Sequence, residues 1–184
     1  MNVMTYQINR YPAELVDVVH LSERVVIRPV LPQDRELMRA FFDDLADDAR
    51  CNRFMHPVRE PSSELLRQFT QVDYANHVAL IAEVFADGRE TVIGEARYVC
   101  GADPSAQISL SVSEAWQGKG LAKLMLTKVE CRAAAAGVRR FIGYTFATNE
   151  KMRSLARKVG FSEKPAVRGV IRLEKALATS SMAA

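Results

Sequence analysis

Residues 116–122, Trp-Gln-Gly-Lys-Gly-Leu-Ala, set two glycines around a lysine where an alternating stretch gives way to a leucine-rich one. Glycine costs about 1 kcal/mol relative to alanine inside a helix, so Gly118 and Gly120 need a reason to stand in a first turn. A helix N-terminus presents backbone N–H groups without intrahelical partners, together with the positive end of the helix dipole. An anion such as a pyrophosphate collects those hydrogen bonds when no side chain blocks its approach. Residues without a Cβ leave that approach open, and Lys119 adds a mobile positive charge. The tripeptide alone also fits a turn with a surface lysine. It has neither the Walker A spacing nor the full Gly-x-Gly-x-x-Gly fingerprint. Its context favours a ligand loop: a strand precedes it, an amphipathic helix follows, and a strand and second short helix come next.

The elements that must position this loop are legible from periodicity. "RVVIRPV" (24–30) reads as a first strand, ended by Pro29 and Pro32. Residues 33–46 read as a helix with Leu37, Phe41, Phe42 and Leu45 on one face. "PSSELLRQFTQV" reads as a second helix with Ser62 or Ser63 as N-cap. "HVALIAEVF" is a nearly continuous apolar run, as in a central strand; a turn at Asp87-Gly88 leads to "TVIGEARYV". In "AQISLSVS", Ile108, Leu110 and Val112 alternate with Ser109, Ser111 and Ser113. A helix from about Lys119 to Ala136 buries Leu121, Leu124, Met125 and Val129, and Gly137 ends it. "RRFIGYTF" is a strand, "NEKMRSLARKV" a short helix ended by Gly160, and "GVIRLEKAL" a last strand. Three successive strands imply antiparallel pairing, and the later β-α-β unit requires a parallel pair. The expected fold is α/β (α+β): a mixed, mostly antiparallel sheet flanked by helices.

Composition narrows the class. The 184 residues favour one domain; they are 48% hydrophobic and 26% charged, as in an ordinary globular protein. A net charge of +3 with mixed signs argues against a nucleic-acid partner, while a mild positive bias suits an anionic ligand. Cys51, Cys100 and Cys131 have no metal or disulfide spacing, so free thiols and no metal are expected. The N-terminus lacks the apolar core of a signal peptide, and no apolar run approaches the ~18 residues of a membrane helix. A cytoplasmic protein without a membrane partner is the expectation. Residues 1–20 read as an extension, 21–177 as the domain, and 178–184 as a frayed tail.

Gln117-x-x-Gly120-x-Ala122 resembles the Gln/Arg-x-x-Gly-x-Gly/Ala signature of the GNAT superfamily of N-acetyltransferases, and "TNEKMRSLARKVGF" (148–161) resembles its second motif. "YPAEL", "VVIRPVLPQD", "RFMHP", "VDYANHVALIAEV" and "WQGKGL" are similar to the acetyltransferase domain of bacterial Pat-type protein-lysine acetyltransferases. The resemblance implies a GNAT-like sheet with its parallel β-α-β unit at the cofactor cleft, and acetyl-CoA as co-substrate. It implies that backbone groups of Gln117, Gly118, Lys119, Gly120, Leu121 and Ala122 hold the pyrophosphate. The strand edge at Leu110, Ser111 and Val112 would pair with the pantetheine arm. Asn149 would bond the arm or the thiol; the N-cap of its helix is an equally good role. Arg153 and Arg157 would either approach phosphates or lie on a solvated face. The acceptor would be a primary amine, on a protein lysine or a small molecule, attacking the thioester directly. A homodimer stays open.

The chain departs from that pattern at the base. An amine is mostly protonated at pH 7 and must lose a proton to attack. Pat-type and histone acetyltransferases use a glutamate on the strand before the glycine loop; here "AQISL" puts Gln107 at that position, and an amide cannot take the proton. Glu95 on the adjacent strand is the first substitute, with Glu83 and Asp73 behind it; an ion pair between Glu95 and Arg97 is the competing role. Alternatively, positioning and backbone donors suffice for an acceptor of low pKa, or the domain binds acetyl-CoA as a sensor with little turnover.

Overall fold

The computed structural model describes residues 10–86 and 88–178. One eight-stranded sheet forms the frame: β1 (Asp17–His20), β2 (Arg24–Pro29), β3 (His77–Ala86), β4 (Arg89–Cys100), β5 (Ser105–Val112), β6 (Arg140–Phe146), β7 (Ser162–Pro165) and β8 (Val170–Ala176). Their spatial order is β1-β2-β3-β4-β5-β6-β8-β7. Every neighbouring pair is antiparallel except β5–β6. That mixed sheet flanked by helices is the fold the sequence implies.

The alternation of side chains along the strands divides the core in two. On one face Ala79 and Ile81 of β3 meet α1 (Arg35–Asp44) and α3 (Ser63–Thr70) through Met38, Phe41, Phe42, Leu66 and Phe69. On the other, Val78, Leu80, Ala96 and Tyr98 meet Leu121, Met125 and Val129 of α4 (Leu121–Ala135). α5 (Glu150–Lys158) adds Ala156 to that second cluster. β3 is buried from Val78 to Val84, which explains an apolar run broken only by Glu83.

Two elements escape sequence periodicity for a physical reason. α2 (Asp47–Phe54) contains Asp-Asp-Ala-Arg-Cys-Asn-Arg-Phe, has no apolar stripe and buries no residue fully. β1 pairs along β2 from Asp17↔Ile27 to His20↔Arg24, within the stretch expected to precede the domain. The sheet therefore starts four residues before position 21. β7 is a further four-residue edge strand. Gly88 has φ +74 at the expected β3–β4 turn, while Asp87 lies outside the described residues, as do 1–9 and 179–184 of the expected extension and tail. The three cysteines are free thiols. No helix among the described residues is long and apolar enough to cross a membrane.

Candidate active site

β5 and β6 pair over only three positions, Ser105↔Arg140, Ala106↔Phe141 and Gln107↔Ile142, and then part. Gly143 sits where they diverge: an added Cβ would lie 3.5 Å from the Ile108 side chain and 3.6 Å from its carbonyl oxygen. Beyond that point the β5 edge from Ile108 to Val112 has no ladder partner on the β6 side. The gap opens into a cleft of about 1520 Å³ lined by Leu110–Val112, the glycine loop, α5's first turn and α2.

The loop at the head of the cleft is built on Trp116, which is buried at the end of a single 3-10 turn. Gln117 ties the loop down at both ends of its amide: Nε2 donates to the Val112 carbonyl (3.2 Å) and Oε1 accepts from Lys151 Nζ (3.0 Å). Lys119 Nζ lies 4.7 Å from the Trp116 ring centroid. Gly118 and Gly120 have φ of +76° and +87°, a region that costs an L side chain about 1–2 kcal/mol. A Cβ built on either meets nothing within 4 Å. The glycines thus serve the backbone turn as well as open space. The first paired helical amide is that of Leu124, donating to the Gly120 carbonyl at 3.1 Å. The amides of Leu121, Ala122 and Lys123 are left at the helix start, next to open space. Leu121 itself is buried, so its side chain anchors the helix while its amide faces the turn.

Deeper in the cleft, Thr145 is 2% exposed, and its Oγ1 has no hydrogen-bond partner among the described residues. A buried hydroxyl left unmatched costs about 1–3 kcal/mol unless something bonds it. Phe141, Gly143 and Thr145 share one buried face of β6, so this hydroxyl was readable from period-2 alternation; the sequence analysis missed it. Asn149 Oδ1 accepts from Met152 N–H (3.1 Å), which makes it the N-cap of α5. It also lines the cleft, and no bond of its Nδ2 appears among the described residues. Arg153 and Arg157 both turn to Glu163 on β7, at 2.8 and 3.0 Å, so neither lies on the cleft.

The two expected catalytic positions are not together. Gln107 is exposed, opposite Val99 on β4, and does not line the cleft. Glu95 is fully buried on the α1–α3 side, held by Arg53 of α2 and by Arg97. Burial alone would raise its carboxyl, but the two guanidinium groups outweigh that and hold it below the ordinary carboxylate range. A carboxylate so buried and paired, and absent from the cleft lining, is poorly placed to take a proton there, which argues against Glu95 as the proton acceptor. Glu83 is taken by Arg28, and Asp73 caps the amides of Ala75, Asn76 and His77. Arg97 is pushed down to about 10 by burial and by Arg53, and stays cationic at neutral pH. His77 Nε2 receives Arg97 Nη1 at 3.0 Å, so its proton sits on Nδ1. Burial and the Arg97 charge lower it to about 4. Tyr74 donates to the Val30 carbonyl (2.7 Å), and Tyr98 is a core residue raised by burial to about 12.

α2, unforeseen in the sequence, closes one end of the cleft with Asp48, Ala49, Asn52 and Arg53. Among the described residues Asp48 has no cationic partner; its Oδ1 accepts the Ala49 N–H at 2.8 Å. Asp48 is exposed and is the acidic residue of α2 that lines the cleft.

The sheet is split beside a glycine-led helix, with a second helix across the gap. The acetyltransferase (GNAT) domain profile matches residues 24–162, and the chain belongs to that family. It is a GNAT-type N-acetyltransferase, of a family that transfers acetyl groups from acetyl-CoA. It is 31% identical over 141 residues to acetyltransferase PA5475 of Pseudomonas aeruginosa, covering 76% of each chain. It is 29% identical over 144 residues to acetyltransferase Pat of Mycolicibacterium smegmatis, spanning 77% of this chain and 42% of that one. Its fold superposes on the GNAT domain of S. lividans PAT with a TM-score of 0.83 and 29% identity, over 91% of this chain and 99% of that domain.

Proposed function

We propose that the chain transfers an acetyl group from acetyl-CoA to a primary amine by direct attack within a ternary complex, with protein lysines among the acceptors. The observation that carries this is the parting of β5 from β6 beside the Gly118–Gly120 turn. The residues fit the co-substrate. Amides from Gly118 to Lys123 suit its pyrophosphate, and the Leu110–Val112 edge suits the amides of its arm. The unmatched Thr145 hydroxyl and Asn149 Nδ2 supply further donors. Acetyl-CoA brings an electrophilic thioester carbonyl. The protein orients the amine toward it from the α2 side; the C–N bond forms as the thioester C–S bond breaks, the Asp48 carboxylate receives the amine's proton, and CoA leaves as a thiolate that takes a proton from solvent.

The test is radiolabelled acetyl transfer to small amines and lysine peptides, with Gly120→Trp and Asp48→Asn alongside. Gly120→Trp weakens acetyl-CoA binding by about 100-fold or more while circular dichroism stays unchanged, because a bulky side chain now occupies the open space at the amides. Asp48→Asn keeps acetyl-CoA affinity and lowers kcat by about 10²-fold or more. Unchanged affinity in the first variant sinks the loop assignment; unchanged kcat in the second sinks Asp48. A second reading, a catalytically weak acetyl-CoA-binding module, is favoured by the exposed Gln107 and the engaged Glu95. It requires acetyl-CoA binding without transfer.

A further inference from the structure

Two guanidinium groups share one carboxylate at the α2 end of the cleft. Arg53 gives Nε and Nη2 to Glu95, at 3.1 and 3.3 Å, and Arg97 gives its Nε to the same carboxylate. The third neighbour, His77, accepts from Arg97 as a neutral ring. The next carboxylate, Asp73, is committed to the turn before β3. Two positive charges against one negative leave the triad with an excess of one, among side chains 0–8% exposed. An uncompensated charge so poorly solvated favours an anionic partner.

Arg53 is the member placed to meet one. It lines the cleft, and its Nη1 donates to no group among the described residues. Its plane is already fixed, by the paired bonds to Glu95 and by the Phe69 ring, 4.8 Å away at its centroid. A guanidinium held in this way loses little freedom on taking a further acceptor oxygen. One and a half helical turns earlier, Asp48 offers the opposite charge to the same cleft. Five residues of helix separate the two by about 7.5 Å along the axis.

We propose that Arg53 anchors an anionic group of the acceptor, so that the acceptor is an amine that also carries a carboxylate within reach of the same cleft. The amine lies toward Asp48 and the carboxylate toward Arg53. This rests on the acetyl-transfer reading above and names the acceptor class for that cleft. The carboxylate can belong to a small amino acid or to an acidic side chain beside a peptide lysine.

The experiment compares matched probes on the whole protein loaded with CoA. Equilibrium binding by NMR is measured for 5-aminopentanoate against pentylamine, and for acetyl-Glu-Lys-amide against acetyl-Gln-Lys-amide. Acetyl-CoA affinity is measured separately by calorimetry. The carboxylate member of at least one pair binds about 10- to 100-fold tighter, and the pair that shows it identifies the source. In Arg53→Gln that preference collapses to about twofold, while acetyl-CoA affinity holds; Arg53→Lys keeps the charge but not the planar fork and retains only part of it. Arg97 stays on Glu95 in both variants, and limited proteolysis unchanged across residues 46–56 confirms that α2 stays in place. Equal binding within both pairs, or a preference that survives Arg53→Gln, overturns the inference and leaves acetyl transfer standing. Failure of the unaltered protein to bind acetyl-CoA overturns both.

Discussion

At the start of β3, His77 faces a permanent cation: Arg97 Nη1 stands 3.0 Å from its Nε2. Burial and that charge hold the folded imidazole near 4, against 6.5 in the open chain. Glu95 and Asp73 pull the other way and lose. Between those two values the unfolded chain binds a proton that the folded chain refuses. Stability is therefore full above about pH 6.5 and falls as pH drops toward 4, by up to about 3 kcal/mol. Glu95 titrates below its ordinary value, so its own contribution is present above about 4.5 and is lost only as pH falls further. The two groups act in different windows. Urea denaturation from pH 7.5 to 4.5 should show this slope in the unaltered protein and a nearly flat line in His77→Gln. An equal slope in both would place the acid sensitivity elsewhere.

The element most dependent on a single contact is α2. Its eight residues bury no side chain fully; Arg53 reaches Glu95, and Phe54 meets Phe42 and Phe69 at centroid distances of 5.2 and 5.9 Å. Glu95→Gln leaves two guanidinium groups facing each other without their anion. A buried pair broken in this way costs about 3–5 kcal/mol. Urea denaturation should register that loss, and limited proteolysis should cut first near residues 46–56; a variant as stable as the parent would show that Glu95 does not hold α2. The same tether explains what the sequence could convey. The glycine loop was legible because residue type and neighbouring periodicity agree at 117–122. The central strands were legible because Val78–Val84 and Ile108, Leu110 and Val112 carry burial in their spacing. α2 was not, because an ion pair to a strand 42 residues away has no local pattern. Gln107 and Glu95 could be placed on strands, but that neither lines the cleft depends on strand register and packing, a tertiary property. β1 was lost for a related reason: Val18 is 44% exposed, and four residues at a sheet edge carry too little alternation to read.

At the scale of the whole molecule the sheet is two blades, β1–β5 and β6–β8, hinged on the short β5–β6 ladder. Lys151 and Gln117 bridge them again across the mouth of the cleft. On the proposed binding mode, a co-substrate laid in the wedge would bond both blades: the β5 edge and glycine loop on one side, Thr145 and Asn149 on the other. Its binding energy is then added to the cohesion of the blades. At a free concentration 100 times its Kd, a ligand that binds only the folded state adds about 2.7 kcal/mol. For a chain of this size that raises Tm by about 5–11 °C. Hydrogen exchange should localise the gain, with slower exchange at Leu110–Val112, at 118–123 and in β6 from Ile142 to Thr145. The same Tm gain with protection confined to 118–123 would put the pyrophosphate on the loop but leave the arm outside the wedge. Protection on both blades would show that one ligand closes the sheet the strands leave open.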